Sequence, residues 1–78
     1  MTLERALALF GCWDFAVCVR EEDGVFNVLV VETDVDEDGG ASRFFKHKRG
    51  ATVLEALAYI ASYHDALAPH FEEELAKE

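Results

Sequence analysis

The chain has 78 residues, of which 51% are hydrophobic, and a formal net charge of −9 from 16 acidic and 7 basic side chains. That length fits a single domain spanning residues 1–78, and the apolar share excludes a disordered chain in spite of the charge. So acidic a surface repels nucleic-acid phosphate and anionic membrane and favours partners with a basic surface, so no direct nucleic-acid binding is the first expectation.

The chain has no uninterrupted apolar run of about 18 residues, so no membrane-spanning helix is expected. The N-terminal stretch is interrupted by Glu4 and lacks the form of a secretory signal, which makes the cytoplasm the expected compartment. Residues 2–10 (TLERALALF) read as a short helix. Thr2 suits its N-cap, Leu3, Ala6, Leu7 and Phe10 share a face, and Gly11 suits the position past its end. WDFAVCVR (13–20) alternates, with Trp13, Phe15, Val17 and Val19 on one side, which predicts a half-buried strand.

Asp23-Gly24 is a hairpin signal. VFNVLVVET (25–33) is apolar on both faces and reads as a central strand. A third strand follows over ASRFFKHK (41–48). Alternation there puts Arg43, Phe45 and His47 on one face and Phe44, Lys46 and Lys48 on the other, with the lysines suited to an exposed edge.

ATVLEALAYIASYHDAL (51–67) carries the strongest helical pattern. Thr52 and Glu55 have capping-box spacing, and Val53, Leu57, Ile60, His64 and Leu67 form one stripe. Pro69 is expected to break this helix and to open a short terminal one, in which Glu72, Glu73 and Glu74 sit near the positive end of the helix dipole. The expected fold is α+β: an N-terminal helix, a three-stranded antiparallel meander, and a long C-terminal helix broken at Pro69, in the order α-β-β-β-α-α. Cys12 and Cys18 are expected about 20 Å apart if both lie on one extended segment, too far for a disulfide, and are read as small reduced core residues.

Asp34-x-Asp36-x-Asp38-Gly39 opens like an EF-hand loop, with Ser42 at position 9. Position 12, which needs a bidentate Glu, is Phe45, and the flanks read as strands. Only a loose cation contact at Asp34, Asp36, Asp38 and Ser42 is left to this reading; a hairpin turn with a negative tip is the stronger one. RFFKHKR (43–49) interleaves basic and aromatic residues as single-stranded nucleic-acid platforms do, and equally fits an edge strand balancing the acidic turn.

His64 lacks partners at catalytic spacing and is read as a satisfied, partly buried histidine. Asp14, Glu32 and Glu55 can approach in a fold, though nothing in their spacing pairs them. Ala58, Ser62 and Ala66 form a ridge of small residues flanked by Tyr59 and Tyr63. It suits a contact with the N-terminal helix or a second copy of the chain, or else a solvated face rich in good helix formers. No phosphate loop, nucleophile elbow or cofactor motif is present, so neither an enzyme nor a cofactor is expected.

The α-β-β-β-α order resembles the double-stranded RNA-binding domain, and its strand–strand–strand–helix portion is similar to small antitoxin domains of the HicB type. In the RNA-binding family the second helix opens on lysines; here the stretch is GATVLEAL, without one. In size and charge the chain also resembles the small phage inhibitors of bacterial defence complexes, the anti-CRISPR and anti-restriction proteins. That resemblance implies a non-enzymatic protein-binding inhibitor, a nucleic-acid mimic that competes for a basic groove. Its expected contacts are Glu21, Glu22, Asp23, Asp34, Asp36, Glu37 and Asp38. Two alternatives are an antitoxin-like or regulatory dimerising module and a nucleic-acid binder acting through residues 43–49.

Overall fold

The structure, a computed structural model, describes residues 1–33 and 43–77. Helix α1 spans Leu3–Cys12. The Thr2 hydroxyl accepts the Arg5 N–H at 3.1 Å, satisfying one of the amides that a helix start leaves open. Its buried residues are Ala6, Leu9 and Phe10, whereas Leu3 and Leu7 are each 40% exposed. The inward face is therefore turned by part of a turn from the expected stripe. Phe10 sets it, meeting Phe15 and Phe71 edge-to-face at centroid distances of 5.9 and 5.6 Å.

Gly11 lies inside α1, not beyond it. Asp14 takes the left-handed conformation instead, with φ 59°, while its N–H donates to the Gly11 carbonyl at 3.2 Å. Aspartate is one of the few side chains that tolerate this region.

Strand β1 is Phe15–Glu22 and β2 is Val25–Glu32, paired in antiparallel register with Phe15 opposite Glu32 and Glu22 opposite Val25. The two-residue turn has φ 52° at Asp23 and 80° at Gly24, the primed hairpin geometry that Asp-Gly predicts. Trp13 precedes β1 and Val19 is exposed, so the inward row of this strand reduces to Phe15 and Val17. Strand β3, Arg43–Gly50, completes a sheet of order β1-β2-β3 with β2 in the centre, as its two apolar faces predict.

The β2–β3 register shifts between Val30 and Val31: Lys46 stands opposite Val30, Lys48 opposite Val28, Phe44 opposite Val31 and His47 opposite Leu29. This bulge corrects the expected alternation. Lys46 and Lys48 share the helix-covered face with Val28 and Val30. Phe44 and His47 lie on the open face, and Phe45 packs inward against Phe15 at 5.1 Å.

Helix α2 is Val53–Ala61, and the Thr52 hydroxyl accepts the Glu55 N–H at 3.1 Å. The interruption before the last helix falls at Ser62–Ala66, upstream of Pro69. Helix α3, Leu67–Ala76, has Pro69 as its third residue, where no intrahelical donor is required. The side chain at the α3 N-cap position, Ala66, makes no capping hydrogen bond. His64 supplies it instead, its Nδ1 accepting the N–H groups of Ala66 and Leu67, both at 3.2 Å. Nδ1 therefore carries no proton, and the ring's N–H is on Nε2.

His64→Ala should cost about 1–2 kcal/mol through the lost cap and its ring contacts, a fall in Tm of roughly 4–15 °C for a domain of this size. His64→Asn, which keeps a short acceptor, should recover part of that loss in a thermal melt monitored by circular dichroism. No recovery would assign the histidine to packing alone.

Helices α1 and α2 pack on one face of the sheet, and α3 packs against both of them. Between the layers Ala6, Leu9, Phe10, Phe15, Val28 and Val30 meet Ala56, Leu57, Ile60, Ala61, Leu67 and Phe71, and among the described residues no polar side chain is buried. The opposite face is uncovered, and Phe44 on it is 62% exposed. Cys12 and Cys18, expected inside, are both free and exposed, because α1 and β1 turn those positions away from the core.

Candidate functional site

The eight-residue strands put the β1–β2 hairpin and the end of β2 at opposite ends of the sheet, roughly 25 Å apart at ~3.3 Å per residue. At one end Glu21, Glu22 and Asp23 are all exposed. The Arg20 guanidinium pairs with Glu22 at 3.2 Å, while Glu21 and Asp23 make no ion pair among the described residues. At the other end β2 runs out at Thr33. The next residues, including Asp34, Asp36, Glu37, Asp38 and Ser42, lie outside the described residues, and with them the EF-hand-like set. Among the described residues no three His, Cys, Asp or Glu side chains converge to hold a metal ion.

The second end has a feature that sequence reasoning missed. Trp13, Asp14, Phe15, Glu32 and His64 line a cavity of about 230 Å³. Asp14 is held there through its own carbonyl, which accepts the Thr33 N–H at 2.7 Å and the Thr33 hydroxyl at 2.8 Å. The Trp13 indole is 43% exposed and lies 6.0 Å from the His64 ring and 6.3 Å from the His70 ring. The His64 ring also meets Phe15 and Phe45 edge-to-face at 5.2 and 5.8 Å.

Two of the carboxylates considered as neighbours, Asp14 and Glu32, thus come together. Glu55 instead lines a separate hollow of about 430 Å³ beside Lys48, Arg49 and Tyr59. The one sequence signal for this end was an Asp following Trp13 where the chain must turn from helix into strand.

The Tyr-flanked ridge runs from α2 into the turn that follows it, and Tyr59 and Tyr63 make contacts with β3 while staying 38% and 53% exposed. Lys46 Nζ stands 3.9 Å from the Tyr63 ring centre and Lys48 Nζ 4.3 Å from that of Tyr59, cation–π contacts between β3 and α2 that the bulge permits. The two phenol oxygens are 3.0 Å apart. Ala58 and Ser62 line a small groove with Phe71, Glu72 and Leu75 of α3, so the third helix, not α1, comes against that side. The Ser62 hydroxyl bonds back to the Tyr59 carbonyl, and Ala66 opens α3.

The Tyr63 pKa is raised above 10.0, first by its hydrogen bond with Tyr59, against the lowering pull of Lys46 and Lys48. Because the folded value is raised, this contribution to stability is present below the unfolded pKa and is lost as pH rises through the folded one. Tyr59→Phe leaves a single tyrosine, whose spectrophotometric titration should move down toward or below the ordinary phenol value. A titration unchanged from that of Tyr63 in the parent would show that the Tyr59 bond does not hold the proton.

Comparison with protein-family models, curated proteins and solved structures returns no match.

Proposed function

We propose that this protein is a small non-enzymatic binding module that presents carboxylates to a partner with a basic surface and competes there with nucleic acid. One observation carries the reading. Glu21 and Asp23 at one end of the sheet, and Asp14 and Glu32 at the other, have no cationic partner among the described residues. They sit at the ends of a hydrogen-bonded meander that fixes their spacing.

Unneutralised carboxylates on a stiff frame keep their field and lose little entropy on binding, the conditions under which charge complementarity sets encounter rate and partner choice. Four of the seven Lys and Arg side chains are engaged elsewhere, and Arg20 pairs with Glu22. Arg5 and Lys77 are paired with Glu74 and Glu73, and Lys46 and Lys48 are drawn onto tyrosine rings. The test is capture of a partner on the immobilised protein, followed by release with salt and with competing DNA or RNA. A captured partner that neither displaces overturns the reading.

A dimerising regulatory module is the second reading, favoured by the uncovered sheet face with Phe44 at its surface. It requires a concentration-dependent dimer in sedimentation equilibrium that Phe44→Ser dissolves.

A further inference from the structure

We propose that the cavity formed by Trp13, Asp14, Phe15, Glu32 and His64 receives one arginine side chain of the basic partner. This deepens the reading above and rests on it.

The cavity differs from an ordinary acidic surface in its walls. Two acidic residues share the lining of one concavity with a tryptophan, a phenylalanine and a histidine. A guanidinium is the cation suited to such a lining: it is planar and weakly hydrated, it stacks on aromatic faces, and it offers paired N–H groups to a carboxylate. A volume of about 230 Å³ suits a single side chain, being below the several hundred Å³ of sites for drug-sized ligands.

The walls are also fixed before anything binds. Both Thr33 bonds hold the Asp14 backbone. The His64 ring is pinned by the two α3 amides it accepts. Glu32 is anchored in the β2 ladder opposite both Phe15 and Arg43. Arg43 is the internal cation nearest in register, yet it is exposed and makes no ion pair with Glu32. Among the described residues no cation pairs with the acceptor, which leaves it to an external guanidinium. An exposed tryptophan beside unpaired carboxylates is also what an interface anchor requires of its receptor, since tryptophan and arginine carry a disproportionate share of contact energy.

Trp13 is the only tryptophan, so its fluorescence reports this cavity directly. The probe is N-acetyl-arginine methylamide, with the citrulline analogue as a neutral control of matching shape. A saturable fluorescence change with a Kd of about 1 mM is expected for the arginine probe, weakening with salt. The citrulline analogue should bind at least about tenfold more weakly. Asp14→Asn with Glu32→Gln should reduce arginine affinity by about tenfold or more. Asparagine tolerates the left-handed backbone at position 14, and circular dichroism confirms that the variant is folded.

Equal response to citrulline, no saturation, or an affinity unchanged in the folded double variant overturns the proposal. These results are separable from the wider reading. If a partner is still captured and released by salt and nucleic acid while the probe fails, the arginine receptor falls and the binding module stands.

Discussion

Replacing Phe10 with alanine is expected to leave much of the protein unfolded at 25 °C. Phe10 is fully buried and bridges three elements, meeting Phe15 of β1 and Phe71 of α3 from its place on α1. Truncating a buried phenylalanine costs about 3–5 kcal/mol in transfer and cavity terms, and the two edge-to-face contacts add about 0.5–1.5 kcal/mol each. At roughly 0.05–0.15 kcal/mol per residue, a chain of 78 residues has only about 4–12 kcal/mol in total. The loss is thus comparable with the whole stability. Leu7→Ala, on the exposed side of the same helix, should change stability by less than about 1 kcal/mol. Urea unfolding of the pair reads the orientation of α1: similar costs for the two variants would contradict the inward face described here.

The second large effect is on binding. Glu21→Gln with Asp23→Asn, combined with Asp34→Asn, Asp36→Asn and Asp38→Asn, should weaken partner capture by about twofold to a hundredfold, taking about 0.2–1 kcal/mol for each of the two or three peripheral charges that one groove engages. The salt dependence should flatten in parallel. Glu21 and Asp23 are exposed and without ion pairs among the described residues, and asparagine is compatible with the positive φ of Asp23, so that hairpin should hold. Because the two ends are roughly 25 Å apart, a partner with one compact groove should respond to one set of substitutions and ignore the other. Affinity and salt dependence both unchanged in the full variant would remove the electrostatic reading.

The parts of this fold that were legible in the sequence are those fixed by local chemistry. Asp23-Gly24 specifies a turn with two positive φ values, Thr2 and Thr52 cap their helices through their own hydroxyls, and apolar residues on both faces mark β2 as central. The parts that were not legible depend on contacts made across the chain. The inward face of α1 is chosen by Phe71, far away in sequence, so a pattern in which Leu3 and Leu9 are equally apolar cannot settle it. The bulge opposite Val30 moves Lys46 to the helix side, where strict alternation had placed Phe45 and Lys46 on different faces.

Pro69 drew attention as a helix breaker, but its missing N–H falls where an α-helix has no need of one. The break is made upstream, where the imidazole of His64 caps the next helix. The cavity at Trp13 was hidden for the same reason. Its five residues come from α1–β1, the end of β2 and the α2–α3 turn, and only the register of Phe15 with Glu32 brings them together.

The bulge in β3 has a bearing on how copies of the protein can associate. It sends Lys46 and Lys48 onto the tyrosine rings and leaves Arg43 and Arg49 along the same outer rim, so two such rims brought together repel each other. The β1 rim has no charge between Phe15 and Val19. A pairing of β1 with β1 between two copies would avoid that repulsion, and being isologous it would close at two copies.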